Sequence, residues 1–336
     1  MTAPKRVPLS VLDLATVSEG QTSADALRGT VEIAVAADQL GFSRFWVAEH
    51  HNMPAVASTS PPVLIGAVAA HTRDIRVGSG GVMLPNHMPF VVAEQFALLE
   101  ALYPGRVDLG VGRAPGTDQA TAAALRGVSP YLTVEHFPEH MKTLLGLLGD
   151  ERVPTGRLSA TPVAESFPEV WILGSSTYGA QLAAALGLPF CFAYHFARNS
   201  DVDGALQQYR DDYQPSPRYP LPWVMVSASV LAAETAEEAY YLAGPSRVMA
   251  LSLRTGRLGP IVSPETAARQ QLSDADRLAL ESLPGTQFTG TAEDVVAALE
   301  ELADRTDADE IMLAGAVHDP ATRIDSLARI AKAWRR

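Results

Sequence analysis

Short apolar runs alternate with longer stretches of helical spacing along the whole chain, and the alternation occurs about eight times. Most of these runs are rich in Val, Ile and Leu with few polar positions between them. Such continuous apolarity is typical of strands that are buried on both faces, as parallel strands are. The predicted strands cover residues 7–14, 44–50, 75–84, 106–112, 169–176, 189–196, 223–233 and 310–318.

Helical patterns follow most of these strands. One of them opens with Thr291 and has Asp294 three residues later, a pairing typical of a helix start. The predicted helices cover residues 25–40, 61–72, 89–102, 177–186, 201–213, 291–303 and 322–334.

Repeated strand-then-helix units predict an α/β fold, a single (β/α)8 TIM barrel domain over residues 1–336. An open, doubly wound sheet is the alternative, but it usually carries a glycine fingerprint after its first strand, and "LDLATVSEG" has none. Two segments exceed the repeat: 113–168 after the fourth strand and 240–290 after the seventh. Both follow the carboxyl end of a strand, so we expect insertions that shape a site there.

The composition narrows the possible partners. Hydrophobic residues make up 47% and charged residues 19%, which favours a globular protein with a large core. A net charge of −12 disfavours a nucleic acid or an anionic membrane as partner. A single cysteine, Cys191, excludes an intrachain disulfide, and the N-terminus lacks the long apolar core of a signal peptide, so we expect a cytoplasmic protein.

Three ionisable residues, Glu49, His50 and His51, stand at the end of the second predicted strand. Because barrel active sites lie at the carboxyl ends of the strands, we expect at least one of these side chains in the barrel mouth. A hydrogen-bonded structural role is the alternative for the histidines. We expect no metal, because adjacent residues on a strand point to opposite faces and metal ligands usually alternate.

Two further strand ends carry groups that suit a phosphate. Arg113 follows the fourth strand, and a guanidinium can donate two parallel hydrogen bonds to phosphate oxygens. Gly174, Ser175 and Ser176 lead directly into a helix, whose first backbone N–H groups are available to an anion. A surface ion pair and an ordinary serine cap are the alternatives. Together the groups predict a phosphorylated cofactor or substrate.

The third predicted strand contains Gly80 and Gly81, although glycine normally weakens a buried strand. Glycine in such a place indicates either a bulge or a surface that a flat molecule approaches closely. The residues leave both interpretations open.

Several segments together resemble the bacterial luciferase-like flavin-dependent monooxygenases. They are "AEHHNM", "RVGSGGVMLP", "VAEQFALLEALYPGRVDLGVGRAPGTD" and "WILGSS" followed by "LAAALGLPFCFAYHF", and they occur in the order of the family. The resemblance implies a TIM barrel, usually a homodimer, that binds FMN at the mouth. It also implies that reduced FMN is a co-substrate supplied by a separate NAD(P)H-dependent reductase, and that O2 is the oxidant.

The resemblance assigns roles to single residues. His50 matches the histidine implicated in catalysis, and Gly80 and Gly81 match a non-prolyl cis peptide behind the flavin ring. Arg113 matches an arginine that binds the FMN phosphate. The serines at the helix start, Ser175 and Ser176, also match phosphate-binding residues. At Gly174 the chain departs from the light-emitting luciferase subunit, which has a glutamate there, so the resemblance does not settle how the flavin is anchored at that position.

Three other functions remain open: a deazaflavin-dependent dehydrogenase that transfers hydride, a catalytically idle flavin-binding protein, and an unrelated phosphosugar enzyme on the same fold. Leu12, Phe192 and His195 are expected around the flavin, and these largely apolar walls favour a small hydrophobic or carbonyl-bearing substrate. The predicted helices 61–72 and 89–102 are apolar around much of their circumference, which favours a dimer interface there.

Overall fold

A computed structural model describes residues 6–129, 131–196, 200–271, 273–281 and 287–335. Within these residues the chain forms one sheet of nine strands, and all of the strand pairs are parallel. The strands are β1 (Leu9–Asp13), β2 (Arg44–Val47), β3 (Arg76–Met83), β4 (Val107–Gly112), β5 (Glu169–Gly174), β6 (Phe190–Phe192), β7 (Val224–Ala233), β8 (Gln287–Thr291) and β9 (Glu310–Ala314).

Eight of these strands close into a barrel. Strands β1 to β7 are neighbours in chain order, β7 also pairs with β9, and β9 pairs with β1. This closed ring confirms the predicted (β/α)8 TIM barrel. The strand β8 was not predicted, because "QFTGT" is not an apolar run. It pairs with the second half of β7, Ser229–Ala233, beyond the residues of β7 that pair with β6.

Helices separate the barrel strands, and none of the described helices is both long and apolar enough to cross a membrane. The two long connections are confirmed: the first holds α4 and α5, and the second holds α8 to α11 and β8. The capping box of Thr291 and Asp294 is present at the start of α12. The helices are α1 (Ser23–Gln39), α2 (Pro61–His71), α3 (Pro89–Leu102), α4 (Gln119–Arg126), α5 (Phe137–Leu147), α6 (Thr177–Leu186), α7 (Val202–Asp211), α8 (Ala236–Leu242), α9 (Gly244–Thr255), α10 (Pro264–Arg269), α11 (Asp274–Glu281), α12 (Ala292–Thr306) and α13 (Pro320–Trp334).

Some strands end earlier than predicted. The second predicted strand extended to His50 but β2 ends at Val47, and the sixth extended to Phe196 but β6 ends at Phe192. In both cases the chain leaves the ladder to form a mouth loop, and after β6 it forms a 3-10 turn over Tyr194–Phe196. Apolar residues near a strand end therefore pack around the mouth without belonging to the ladder.

Alternate strand residues face the barrel interior. In β2 and just after it, Phe45 and Val47 pack against the helices, whereas Trp46 and Ala48 belong to the cluster inside the barrel. This inner cluster makes the barrel a packed core without a pore. The other buried members of the inner cluster are Leu12, Trp171, Cys191, Met225, Met312 and Ala314.

Buried ion pairs lie at the amino ends of the strands. Arg44 lies 3.0 Å from Asp108, 2.8 Å from Glu169 and 3.1 Å from Glu310, and Arg76 lies 2.6 Å from Asp108. Burial opposes the charge of Arg44, but the three carboxylates raise its pKa. These residues stand at or next to the first positions of β2, β3, β4, β5 and β9. The charges therefore join five strands at the end of the barrel opposite the mouth.

Apolar side chains on α2 and α3 are exposed in this chain. Val63 is 74% exposed, Val91 50%, Leu98 50% and Leu102 60%. Such apolar surface is typical of an interface between proteins. It agrees with the pattern from which a dimer interface on these helices was predicted, and the homodimer itself stays a prediction.

We expect the replacement Arg44→Met to lower the free energy of unfolding by about 3–5 kcal/mol, because it leaves buried carboxylates without their cation. Urea unfolding followed by circular dichroism measures this change. Arg28→Met breaks an exposed pair with Asp25 and should leave the midpoint nearly unchanged. Equal midpoints for wild type and Arg44→Met would contradict the stabilising role of the buried ion pairs.

Candidate functional site

His50 lies at the barrel mouth on the inward-facing side of the chain. Trp46 and Ala48 point into the barrel, and the same two-residue alternation continues to His50. Its backbone N–H donates a hydrogen bond of 3.0 Å to the carbonyl of Ser58, which fixes the main chain. Burial lowers the pKa of His50 against the opposing charge of Glu49. Its buried Nδ1 has no hydrogen-bond partner among the described residues, so this nitrogen is available to a bound molecule.

Glu49 is a fully buried carboxylate beside His50, and it receives three hydrogen bonds. His51 Nε2 donates to Oε1 at 2.8 Å, His87 Nε2 donates to the same oxygen at 2.7 Å, and the Met83 N–H donates to Oε2 at 2.9 Å. Burial acts to raise the pKa of Glu49, but the hydrogen bonds and charge from His87, with the bond from His51, lower it overall. An ionised carboxylate therefore joins the end of β2 to the segment after β3.

Arg113 lies beside the start of α6. Its guanidinium carbon is 3.9 Å from the ring centre of Tyr178, the second residue of α6. No carboxylate of the described residues forms an ion pair with Arg113. Ser175 and Ser176 precede the helix, and the Ser176 side chain makes no capping hydrogen bond. Arg113 thus lies against the first turn of α6.

Gly174 allows α6 to begin close to β5. A Cβ atom at Gly174 would lie 3.3 Å from the Cα atom of Gly179 and 3.5 Å from the ring of Phe190. A larger side chain would therefore push the start of α6 away from the strand. The role of Gly174 in this structure is therefore to let the backbone of α6 approach the end of β5.

The peptide bond between Gly80 and Gly81 is cis, as the resemblance implied. The pairing register of β3 with β4 shifts between Gly80 and Val82, so a bulge is present. A Cβ atom at Gly80 would lie 2.7 Å from Leu12 Cδ1, and one at Gly81 would lie 2.8 Å from the carbonyl oxygen of Gly110. Close packing within the barrel wall therefore accounts for both glycines, and their contact with a flavin stays a prediction.

His195 is a half-buried histidine of the mouth that contacts Ser227 on β7. The distance from His195 Nδ1 to Ser227 Oγ is 2.6 Å, and Ser227 Oγ lies 3.2 Å from the carbonyl oxygen of Phe192. A hydroxyl has one proton, so both contacts are hydrogen bonds only if Ser227 donates to Phe192 and accepts from His195. Burial, together with repulsion from His50, lowers the pKa of His195 to about 4. The imidazole is therefore neutral with its proton on Nδ1.

The site residues predicted from sequence lie on or directly after four successive strands, β2 to β5. His50, Arg113, Ser175 and Ser176 follow a strand, whereas Gly80 and Gly81 lie within β3 and Gly174 ends β5. Sequence reasoning missed His87 as a partner of Glu49, since these residues come from different segments. It also missed Ser227 and Tyr178. Tyr178 could have been found, because it directly follows the run "GSST" that was assigned to the helix start.

The chain matches the family model of the luciferase-like monooxygenases over residues 7–309. The match covers most of the chain, and it agrees with the closed parallel barrel. The chain therefore belongs to the luciferase-like monooxygenase family.

Individual relatives cover most of the chain. A luciferase-like monooxygenase of Escherichia coli strain K12 is 41% identical over 323 residues, which is 96% of this chain and 95% of that protein. The N-acetyl-S-alkylcysteine monooxygenase of Bacillus subtilis strain 168 is 42% identical over 236 residues, 69% of this chain and 70% of that protein. The crystal structure of apo-MsnO8 has a TM-score of 0.91 to this chain at 35% identity and covers 98% of both chains.

We expect the His195 ring to carry its proton on Nδ1 at neutral pH. The Ser227 hydroxyl donates its one proton to the Phe192 carbonyl, so it must accept a hydrogen bond from His195 Nδ1. Two-dimensional NMR of protein labelled with 15N in its histidines reads the tautomer from the ring nitrogen shifts. His51 and His87 serve as internal controls, since both donate from Nε2 to a carboxylate. Ser227→Ala should remove the preference for Nδ1–H, and a ring protonated on Nε2 in the wild type would contradict the hydrogen-bond chain.

Proposed function

We propose that this protein is an FMN-dependent monooxygenase, which uses reduced FMN and O2 to oxygenate a small organic substrate. A separate NAD(P)H-dependent reductase supplies the reduced FMN. The observation that carries the proposal is the stacking of Arg113 on Tyr178 at the start of α6, on the same barrel mouth as His50.

The phosphate of FMN suits the start of α6. Arg113 has a positive charge without a carboxylate partner among the described residues, and the ring of Tyr178 holds it in place. Helix α6 adds the positive end of its dipole and backbone N–H groups, and the Ser175 and Ser176 hydroxyls add further donors. A phosphate dianion would satisfy the arginine and these N–H groups together.

The flavin ring suits the mouth between β2 and β3. The buried Nδ1 of His50 lacks a partner within the described chain, and a bound ring system would supply one. Gly80 and Gly81 present main chain without side chains on the β3 wall. When bound, reduced FMN supplies the electrons that activate O2, and the protein supplies binding and orientation.

The residues of the mouth supply proton transfer and the exclusion of water. His50 is neutral near neutral pH, and it can hold or release a proton at Nδ1 during oxygenation. Below it, Leu12, Ala48 and Ala314 are buried and apolar, so the site has an apolar floor. A dry site prevents loss of the activated oxygen to water.

Apolar surroundings favour a small hydrophobic or carbonyl-bearing substrate. The N-acetyl-S-alkylcysteine monooxygenase of Bacillus subtilis adds one more class, because an S-alkylcysteine derivative contains a thioether. A thioether sulfur accepts one oxygen atom to become a sulfoxide. A ketone instead takes the oxygen atom between its carbonyl carbon and a neighbouring carbon, so that this C–C bond breaks and an ester forms. Thioethers therefore belong among the first test substrates.

We expect Arg113→Ala to weaken FMN binding by tenfold or more, because a charge-assisted hydrogen bond contributes about 1.5–3 kcal/mol. Fluorescence quenching of FMN on titration with protein measures the affinity. Arg329→Ala removes an arginine near the carboxyl end of α13, away from the mouth, and should keep the affinity of wild type. Equal FMN affinity in Arg113→Ala and wild type would overturn the phosphate site. Tighter binding of a deazaflavin cofactor than of FMN would favour the dehydrogenase alternative.

We expect His50→Ala to bind FMN nearly as wild type but to lose on the order of 10²-fold or more in oxygenation, the usual contribution of a positioned acid or base. Product formation from thioether and ketone test substrates is measured with chemically reduced FMN and O2. His71→Ala, at the end of α2, is the matched control and should keep full turnover. Wild-type turnover in His50→Ala would show that another group handles the proton.

A further inference from the structure

Glu49, His51 and His87 place three metal-binding side chains together at the mouth. We propose that they form a binding site for one divalent transition cation of the Zn2+, Co2+ and Ni2+ class. This inference does not depend on the proposed function, because it concerns side chains that meet in the protein without any flavin.

The three ligand atoms converge on one point. Glu49 Oε1 lies 2.8 Å from His51 Nε2 and 2.7 Å from His87 Nε2, and the ligand atoms of the three residues all lie within 4.8 Å of one another. The second carboxylate oxygen is held by the N–H of Met83 at 2.9 Å, so the carboxylate cannot rotate freely. Two imidazoles and one carboxylate leave a fourth position for water, an arrangement that zinc accepts.

The expectation of no metal rested on the adjacent residues His50 and His51, whereas the proposed ligands have a different spacing. His50 and His51 are adjacent and cannot share an ion, but Glu49 and His51 are two residues apart and point to the same side. His87 completes the set from the segment after β3, the strand that pairs with β2. The site therefore arises from pairing of two neighbouring strands.

The electrostatics of the pocket favour a cation. Glu49 is ionised and fully buried, and no Lys or Arg of the described residues forms an ion pair with it. The groups that face the carboxylate are the two imidazoles and the Met83 N–H, with His50 nearby. The carboxylate therefore has no lysine or arginine beside it, and a bound metal ion would supply a positive charge at this point.

Binding requires a small adjustment and no change in oxidation state. Ligands bound at 2.0–2.1 Å to a tetrahedral ion lie about 3.3 Å apart. The Nε2 atoms of His51 and His87 must therefore each move about half an ångström away from Glu49 Oε1. The side chains of His51 and His87 are 14% and 33% exposed, so an ion can reach them from solvent. Each imidazole transfers its proton from Nε2 to Nδ1 through water, and the cation takes the place of the two donated hydrogens. Imidazole ligands favour Zn2+, Co2+ and Ni2+ over Mg2+ and Ca2+.

A bound ion would stiffen the part of the mouth that holds His50. The His51 N–H donates to the Gly116 carbonyl at 3.2 Å, and the Thr117 hydroxyl donates to the His51 carbonyl at 2.8 Å. The loop after β4, which begins with Arg113, is therefore attached to the same backbone. One ion would thus join the ends of β2, β3 and β4.

The test uses the full chain without a histidine tag, freed of metal by dialysis against EDTA and free of flavin. Co2+ is added while the visible absorption of the bound ion is recorded, and Zn2+ binding is measured by calorimetry. We expect one equivalent of each ion to bind and Mg2+ not to compete. Absence of a bound-cobalt spectrum together with no calorimetric binding of Zn2+ would overturn the proposal.

Variants show whether these side chains hold the ion. Mutation of a residue that only supports a metal ligand typically lowers the metal affinity by about 10–100-fold. His87→Ala and Glu49→Gln each remove a ligand itself, so each should weaken Zn2+ binding at least about tenfold. His87→Ala removes a partly exposed side chain and keeps the test decisive if Glu49→Gln fails to fold. His71→Ala, at the end of α2, is the matched control and should bind Zn2+ as wild type does. Unchanged affinity in His87→Ala, or an equal loss in the control, would place the ion elsewhere. Because FMN is absent throughout, failure here leaves the proposed flavin chemistry standing, and failure of that chemistry leaves this site standing.

Discussion

The buried charges around Arg44 are the constraint on which the barrel depends. The guanidinium of Arg44, on β2, contacts carboxylates that begin or nearly begin three other strands, and Arg76 adds β3, so that the group joins five strands. A buried charge is costly unless it is paired, so any shift in register that separated these groups would be strongly unfavourable. The amino ends of the strands are thereby aligned, and the carboxyl ends open together into one mouth.

Because side chains alternate between the two faces of a strand, the alignment of the amino ends also fixes which side chains point inward near the site. Arg44, Trp46 and Ala48 point inward in succession, from the charged end through the apolar middle to the level below His50. The apolar middle layer separates the buried ion pairs from the mouth. Polar groups therefore lie at both ends of the barrel, with buried apolar side chains between them.

Close approaches of backbone complete the mouth. Gly80 and Gly81 let β3 pack against Leu12 and the carbonyl of Gly110, and Gly174 lets α6 begin close to β5. These contacts hold the cis peptide within the barrel wall and the start of α6 beside Arg113. The site is thus built largely from main-chain geometry, with a few side chains that carry charge or a titratable nitrogen.

Two histidines of the mouth have opposite hydrogen-bonding arrangements. His195 holds its proton on Nδ1 because Ser227 accepts there, whereas His51 donates from Nε2 to the ionised carboxylate of Glu49. The difference follows from the partner that each ring meets after folding. Histidine therefore donates from Nδ1 at one position of the mouth and from Nε2 at another.

The sequence by itself determined the barrel, its two long connections and the strand ends that carry His50, Arg113 and Ser175, because apolar periodicity and strand order are local properties of the chain. It could not determine that Glu49 meets His87, that Arg113 stacks on Tyr178, or that His195 meets Ser227. Each of these pairs joins residues from different strands or their loops, and a contact between distant segments depends on the register and closure of the whole sheet. The short strand β8 escaped prediction for the same reason, since its polar sequence is held as a strand only by the free second half of β7.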